Sequence, residues 1–124
     1  MDPRQLVTLV LGASPNPGRY SYEAVVCLLS RNIPVIAVGK KEFSIGNFKV
    51  QKTIPSDIRD LHTISLYLNA VNQRDYYDSI ISLAPKRIIF NPGTCNPELA
   101  EMAVCNGIEV VENCTVVMLR NGEY

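Results

Sequence analysis

Between Leu6 and Tyr22 the chain changes character twice, and this sequence of changes limits the folds open to it. Leu6 to Leu11 is an apolar, β-branched run, too short for a typical helix and uniform enough for a strand buried on both faces. Gly12 ends the run, and Pro15, Pro17 and Gly18 impose an irregular turn. Tyr22, Val25, Val26 and Leu29 then recur at helical spacing. Strand, glycine-marked loop and helix open an α/β nucleotide-binding unit. Its loop and helix N-terminus can turn backbone N–H groups toward a phosphate.

The same alternation continues along the chain. A helix is expected from about Tyr20 to Arg31, with Ser21 as candidate N-cap, Glu23 near the positive end of the dipole and Asn32 as a left-handed terminator. Ile33 to Val38 reads as a second buried strand. The stretch from Gly39 to Asp60 is irregular, with one short extended piece at Phe48–Val50 and a turn or helical stub from Ile54. Thr63 to Leu68 is the third core strand, and a helix is expected over about Asn72 to Leu83, stopped by Pro85. Lys86 to Phe90 forms a fourth strand. Asn96, Pro97 and Glu98 carry the signature of a helix start, and that helix should end at Gly107. Ile108–Val111 is the fifth strand, while Cys114–Leu119 is an apolar segment that reads as either strand or turn.

This pattern predicts an α/β domain of three layers, with a parallel five-stranded sheet between helices. Right-handed crossovers put the first strand near the centre, in the order 3-2-1-4-5. Ligands in such sheets bind outside the carboxyl ends of the strands. The loops 12–20, 39–42, 68–72 and 91–96 should meet there.

Composition narrows the function. The 124 residues suffice for one domain. Twelve basic and twelve acidic side chains cancel, which argues against nucleic acid or a membrane surface as partner. No apolar run approaches the roughly 18–20 residues of a membrane span, and Met1-Asp-Pro-Arg lacks the pattern of a secretory signal. Cys27, Cys95, Cys105 and Cys114 show no C-x-x-C pair or zinc spacing, and with one histidine no metal site is expected. Reduced, mostly buried thiols in a cytoplasmic protein are the expectation. A homodimer or a protein partner stays open.

Three groups of residues carry a resemblance. Gly12-Ala-Ser-Pro-x-Pro-x-Arg-Tyr-Ser-Tyr, a strand ending Ile36-Ala-Val-Gly-Lys, and Asn91-Pro-Gly-Thr with Asn113-Cys114 resemble the small stand-alone coenzyme A-binding proteins. These are similar to the nucleotide-binding domain that opens the succinyl-CoA synthetase alpha subunit. The resemblance implies a Rossmann-like domain binding coenzyme A or an acyl-CoA by its nucleotide end. Gly12, Ala13, Ser14 and Pro15 would turn over the pyrophosphate, with Tyr22 in the same motif, and Arg19 would meet a phosphate. Val38 would pack on adenine or ribose, and Lys40 or Lys41 would face the 3′-phosphate. Tyr67, Leu68 and Asn69 would line the nucleotide slot, with Asn91 and Gly93 in the late loop. Relatives commonly carry proline where this chain has Gly39-Lys40-Lys41. The phosphorylated histidine of the large synthetases lies in another domain, so ligase activity is not implied.

The residues themselves allow a second reading, an NAD(P)-binding redox enzyme or sensor. The loop lacks the third glycine of G-x-G-x-x-G, and no Asp or Glu ends the second strand to hold ribose hydroxyls. Lysines there favour a ligand with an extra phosphate, coenzyme A or NADP. Cys95 before the Asn96 cap and His62 before the third strand show no nucleophile–base pairing, so the leading expectation is a binding module without catalytic groups. A third reading has a degenerate site and a chain that works through protein contacts.

Overall fold

The computed structural model describes residues 2–124. Along the chain the elements are β1 (Thr8–Ala13), α1 (Tyr20–Ser30), β2 (Val35–Gly39), β3 (Phe43–Ile45), β4 (Phe48–Val50), β5 (Thr63–Leu66), α2 (Ala70–Gln73), α3 (Tyr77–Leu83), β6 (Arg87–Phe90), α4 (Pro97–Cys105), β7 (Glu109–Glu112) and α5 (Thr115–Arg120). Single 3-10 turns precede β1 and join α2 to α3.

Five strands form one parallel sheet in the order β2-β1-β5-β6-β7. The winding is of the expected 3-2-1-4-5 style, with one reassignment. Gln51, just past β4, bridges Val38 in parallel and exchanges backbone hydrogen bonds with Ala37 and Gly39. This rudimentary strand takes the place outside β2. The strand read as third, Thr63 to Leu68, is shorter at Thr63–Leu66 and lies on the other side of β1, in register from Thr8↔Thr63 to Leu11↔Leu66. A right-handed crossover permits either position; the 40–60 excursion occupies the first, with β3 and β4 paired as an antiparallel hairpin.

Alternation along β1 assigns the two sheet faces. Leu9 and Leu11 face one layer with Ile64, Leu66, Ile88 and Phe90, under Ile80 of α3 and Leu99 and Ala103 of α4. Val10 and Ala37 face the other, under Val25 and Leu28 of α1 and Leu119 of α5, with Ile45 and Val50 of the hairpin closing the edge. Leu9, Leu11, Ile64 and Leu66 are fully buried, each worth about 1.5–3 kcal/mol relative to exposure.

Several local expectations change. The helix read as Asn72–Leu83 begins earlier, capped by the Asn69 carboxamide on the Asn72 amide, and is broken by the 3-10 turn Arg74–Tyr76. The segment read as strand or turn is helical from Thr115 to Arg120, with Cys114 as its extended N-cap, because Val116, Met118 and Leu119 are buried despite the β-branched residues. Asn32 takes the expected left-handed conformation, α4 ends before Gly107 as expected, and Asn96 caps α4 through the Leu99 amide with Pro97 in its first turn. No helix of the described residues is long and apolar enough to cross a membrane.

Candidate functional site

The carboxyl ends of β1, β2, β5 and β6 open into one cleft of about 730 Å³. Its floor is made by the end of β1. Gly12 sits at a break in the β1–β2 register with φ 99°, and a Cβ there would stand 3.0 Å from the Tyr67 carbonyl carbon. Across from it, a Cβ on Gly39 would overlap the carbonyl oxygen of Ala13. The two strand ends therefore approach more closely than any side chain allows.

The loop that follows orders itself. The Ser14 amide donates to Ser21 Oγ at 3.1 Å, the Asn16 amide to Ser14 Oγ at 3.1 Å, and the Gly18 amide to Asn16 Oδ1 at 2.9 Å. The Arg19 amide donates to the Asn16 carbonyl at 3.0 Å. Pro15 and Pro17 have no N–H, so every amide from Ser14 to Arg19 is engaged or missing. The donors left for a ligand lie one step later. No acceptor among the described residues takes the amides of Tyr20, Ser21 and Tyr22, and Arg19, in the N-cap position, makes no side-chain cap. The open end of the eleven-residue α1 thus faces the cleft with its positive dipole end. Ser21, read as an N-cap, is instead 4% exposed and ties the loop back to the helix.

Of the residues singled out above, Gly12, Ala13, Ser14, Pro15, Arg19, Val38, Lys40, Lys41, Tyr67, Leu68, Asn69 and Gly93 line this cleft. Two do not. Tyr22 is half-buried and packs on the Val10 side of the core. Asn91 is 2% exposed and belongs to the framework. Its Nδ2 donates to Ser65 Oγ at 3.0 Å and the Leu66 carbonyl at 2.8 Å, and its Oδ1 accepts the Thr115 amide at 2.8 Å. It joins β5, β6 and the start of α5, and its backbone carbonyl accepts the Thr94 hydroxyl at 2.7 Å.

Sequence reasoning missed the second support. Gln73 is fully buried; its Nε2 donates to the carbonyls of Leu68 and Thr94, both at 2.8 Å, and its Oε1 accepts from Asn96 Nδ2 at 2.9 Å. Asn96 Nδ2 also donates to Tyr77 Oη at 2.8 Å. This hub pins the two loops on the β5–β6 side of the cleft. Its only sequence signal was a polar residue on the inner face of an expected helix. Phe43, Asn72, Tyr76 and Thr94 also line the cleft, brought there by the hairpin, the α2 segment and the late loop.

Electrostatics separate the mouth from its surroundings. The charged residues lining the cleft are Arg19, Lys40 and Lys41, all cationic. Burial pushes the Tyr67 phenol up to about 12, so it stays neutral at physiological pH. His62 lies at the opposite, amino end of β5, where its Nδ1 is 2.8 Å from Thr63 Oγ1; burial and then Arg87 hold its pKa below the ordinary value. Cys95 is exposed, with Sγ 3.9 Å from Glu112 Oε1.

A parallel α/β sheet with a cationic, amide-bearing cleft at its carboxyl edge defines a Rossmann-like nucleotide-binding type of domain. Residues 7–120 match the family described as the CoA binding domain, and the chain belongs to that family. A crystal structure of an uncharacterized protein is similar at 44% identity and TM-score 0.90, covering 95% of this chain and 97% of that one. Cell-free ID.343 from Thermus thermophilus shares the fold at TM-score 0.82 and 18% identity, with full coverage of both chains. The dinucleotide forming acetyl-coenzyme A synthetase 1 of Ca. Korarchaeum cryptofilum, in complex with phosphate and ADP, shares it at TM-score 0.69 and 18% identity, over 87% of this chain and 25% of that one. No curated protein matches the sequence.

Proposed function

We propose that this chain is a binding module for coenzyme A or an acyl-CoA, holding the nucleotide end in the cleft and performing no chemistry of its own. The observation that carries the reading is the conjunction of unpaired α1 amides with Arg19, Lys40 and Lys41 in a cleft lined by no carboxylate among the described residues. A ligand with a pyrophosphate and a separate sugar phosphate matches two such centres. The pyrophosphate would sit at the α1 terminus with the Arg19 fork, a geometry that suits guanidinium. The 3′-phosphate would meet Lys40 or Lys41, with Val38 against adenine or ribose. Leu68, Asn69 and Gly93 would border the slot.

NADP shares the extra phosphate and is the second reading. Thermal unfolding with coenzyme A, dephospho-CoA, NAD and NADP at matched ionic strength separates them. A ligand at about 100 times its Kd stabilises by about 2.7 kcal/mol, a rise of several degrees for a domain of this size. Coenzyme A should raise Tm, dephospho-CoA less. A shift with NADP alone would replace this proposal with the redox reading, and no shift with any of them would refute both ligands.

A further inference from the structure

The neutral net charge of this chain hides a division. Residues 1–60 carry eight basic and five acidic side chains, and residues 61–124 carry four basic and seven acidic. Within the fold, a basic patch from the first stretch and an acidic one from the second stand at two ends of the sheet. At one, outside β2, the β3–β4 hairpin and the segment after it hold Lys49 and Lys52, both exposed. At the other, α3 and α4 flank a groove of about 660 Å³ on the side of the sheet nearer β7. Ile81 and Met102 line this groove as half-buried apolar surface, and its charged residues are Asp78, Glu98 and Glu101. Among the described residues, none of these three carboxylates and neither lysine takes part in an ion pair.

We infer that the α3–α4 groove docks the basic hairpin edge of a second copy of this chain. A lysine has the right shape for such a groove: its aliphatic stem covers apolar surface while the ammonium reaches a carboxylate at the rim. The two surfaces lie at opposite edges of one sheet, so they do not meet within a molecule. The contact is therefore heterologous. It adds copies head to tail and has no built-in closure at two. Exposed ion pairs of this kind are weak and screened beyond about 10 Å at 0.1 M salt, so association belongs to high protein concentration and low ionic strength. The inference is independent of the ligand reading: the groove residues, Lys49 and Lys52 are not among the described residues that line the nucleotide cleft, to which the hairpin gives only Phe43.

Sedimentation velocity over a concentration series tests it, on wild type, Glu98→Lys with Glu101→Lys, and Lys49→Glu with Lys52→Glu. At low salt the wild-type average mass should climb above 13.8 kDa with concentration, without a plateau at two copies, and return to 13.8 kDa at high salt. Each double variant alone should stay at the monomer mass, and an equimolar mixture of the two should associate again. Circular dichroism of each variant confirms that it is folded. A monomeric wild type, variants that associate as wild type does, or a mixture that stays monomeric would each overturn the proposal.

Discussion

Replacing Asn91 by alanine distinguishes a framework residue from a ligand residue. The side chain supplies two donated hydrogen bonds, to Ser65 Oγ and the Leu66 carbonyl, and accepts one from the Thr115 amide. Alanine removes all three and leaves the Thr115 amide buried without a partner at the start of α5. A net hydrogen bond is worth about 1 kcal/mol, and a stranded buried donor costs about 1–3 kcal/mol. Together the expected loss is about 3–5 kcal/mol. A domain of this length has roughly 6–18 kcal/mol in hand at about 0.05–0.15 kcal/mol per residue. Tm should therefore fall by roughly 10–20 °C. Circular dichroism melts measure this, and calorimetry at low temperature, where the variant is still folded, measures its affinity for coenzyme A. The expected affinity is within a few-fold of wild type. A variant that melts within a degree or two of wild type yet loses the ligand would return Asn91 to the binding surface.

Gly39→Ala should cost about 2–4 kcal/mol or misshape the cleft, because its Cβ falls on the Ala13 carbonyl oxygen; chemical denaturation measures the cost, and an unchanged midpoint would contradict it. His62 is held neutral by burial and the nearby Arg87 charge, so the unfolded chain binds its proton first as pH falls. Stability should decline below the ordinary histidine pKa of about 6.5, and His62→Gln should flatten that decline in denaturant titrations between pH 7 and 5. Tyr67 should ionise near pH 12 in a spectrophotometric titration. Since the unfolded phenol loses its proton at about pH 10, stability should fall as pH rises past that value, and less so in Tyr67→Phe.

The first third of the fold was legible because its physics is local. An apolar run closed by Gly12, two prolines and a helical stripe leave little choice, and Asn32, Asn96 and Pro97 mark helix ends through their own backbone preferences. The position of the Thr63–Leu66 strand was not legible, since the crossover rule fixes handedness and not which side of β1 receives the strand. Helix α5 was hidden by Val116 and Val117, whose β-branching speaks for a strand until tertiary burial decides. At the site, twelve of the named residues share the cleft because their loops end neighbouring strands. The roles of Ser21, Gln73 and Asn91 depend on partners far along the chain, which no local pattern contains. Of the loop and helix N-terminus read as amide donors, only the first turn of α1 keeps open amides among the described residues, because the loop's own amides are spent on Ser14, Asn16 and Ser21.

Coenzyme A should bind at the open end of α1 and at Lys40 or Lys41 after β2. Amide chemical-shift mapping of the 13.8 kDa protein during a coenzyme A titration reads this residue by residue. The largest shifts are expected at Arg19 to Tyr22 and Gly39 to Lys41, smaller ones at Leu68 and Asn69, and none along the α3–α4 groove. Dephospho-CoA should spare the Gly39 to Lys41 signals. Saturable shifts centred away from the α1 terminus, or no shifts at millimolar coenzyme A, would contradict this placement.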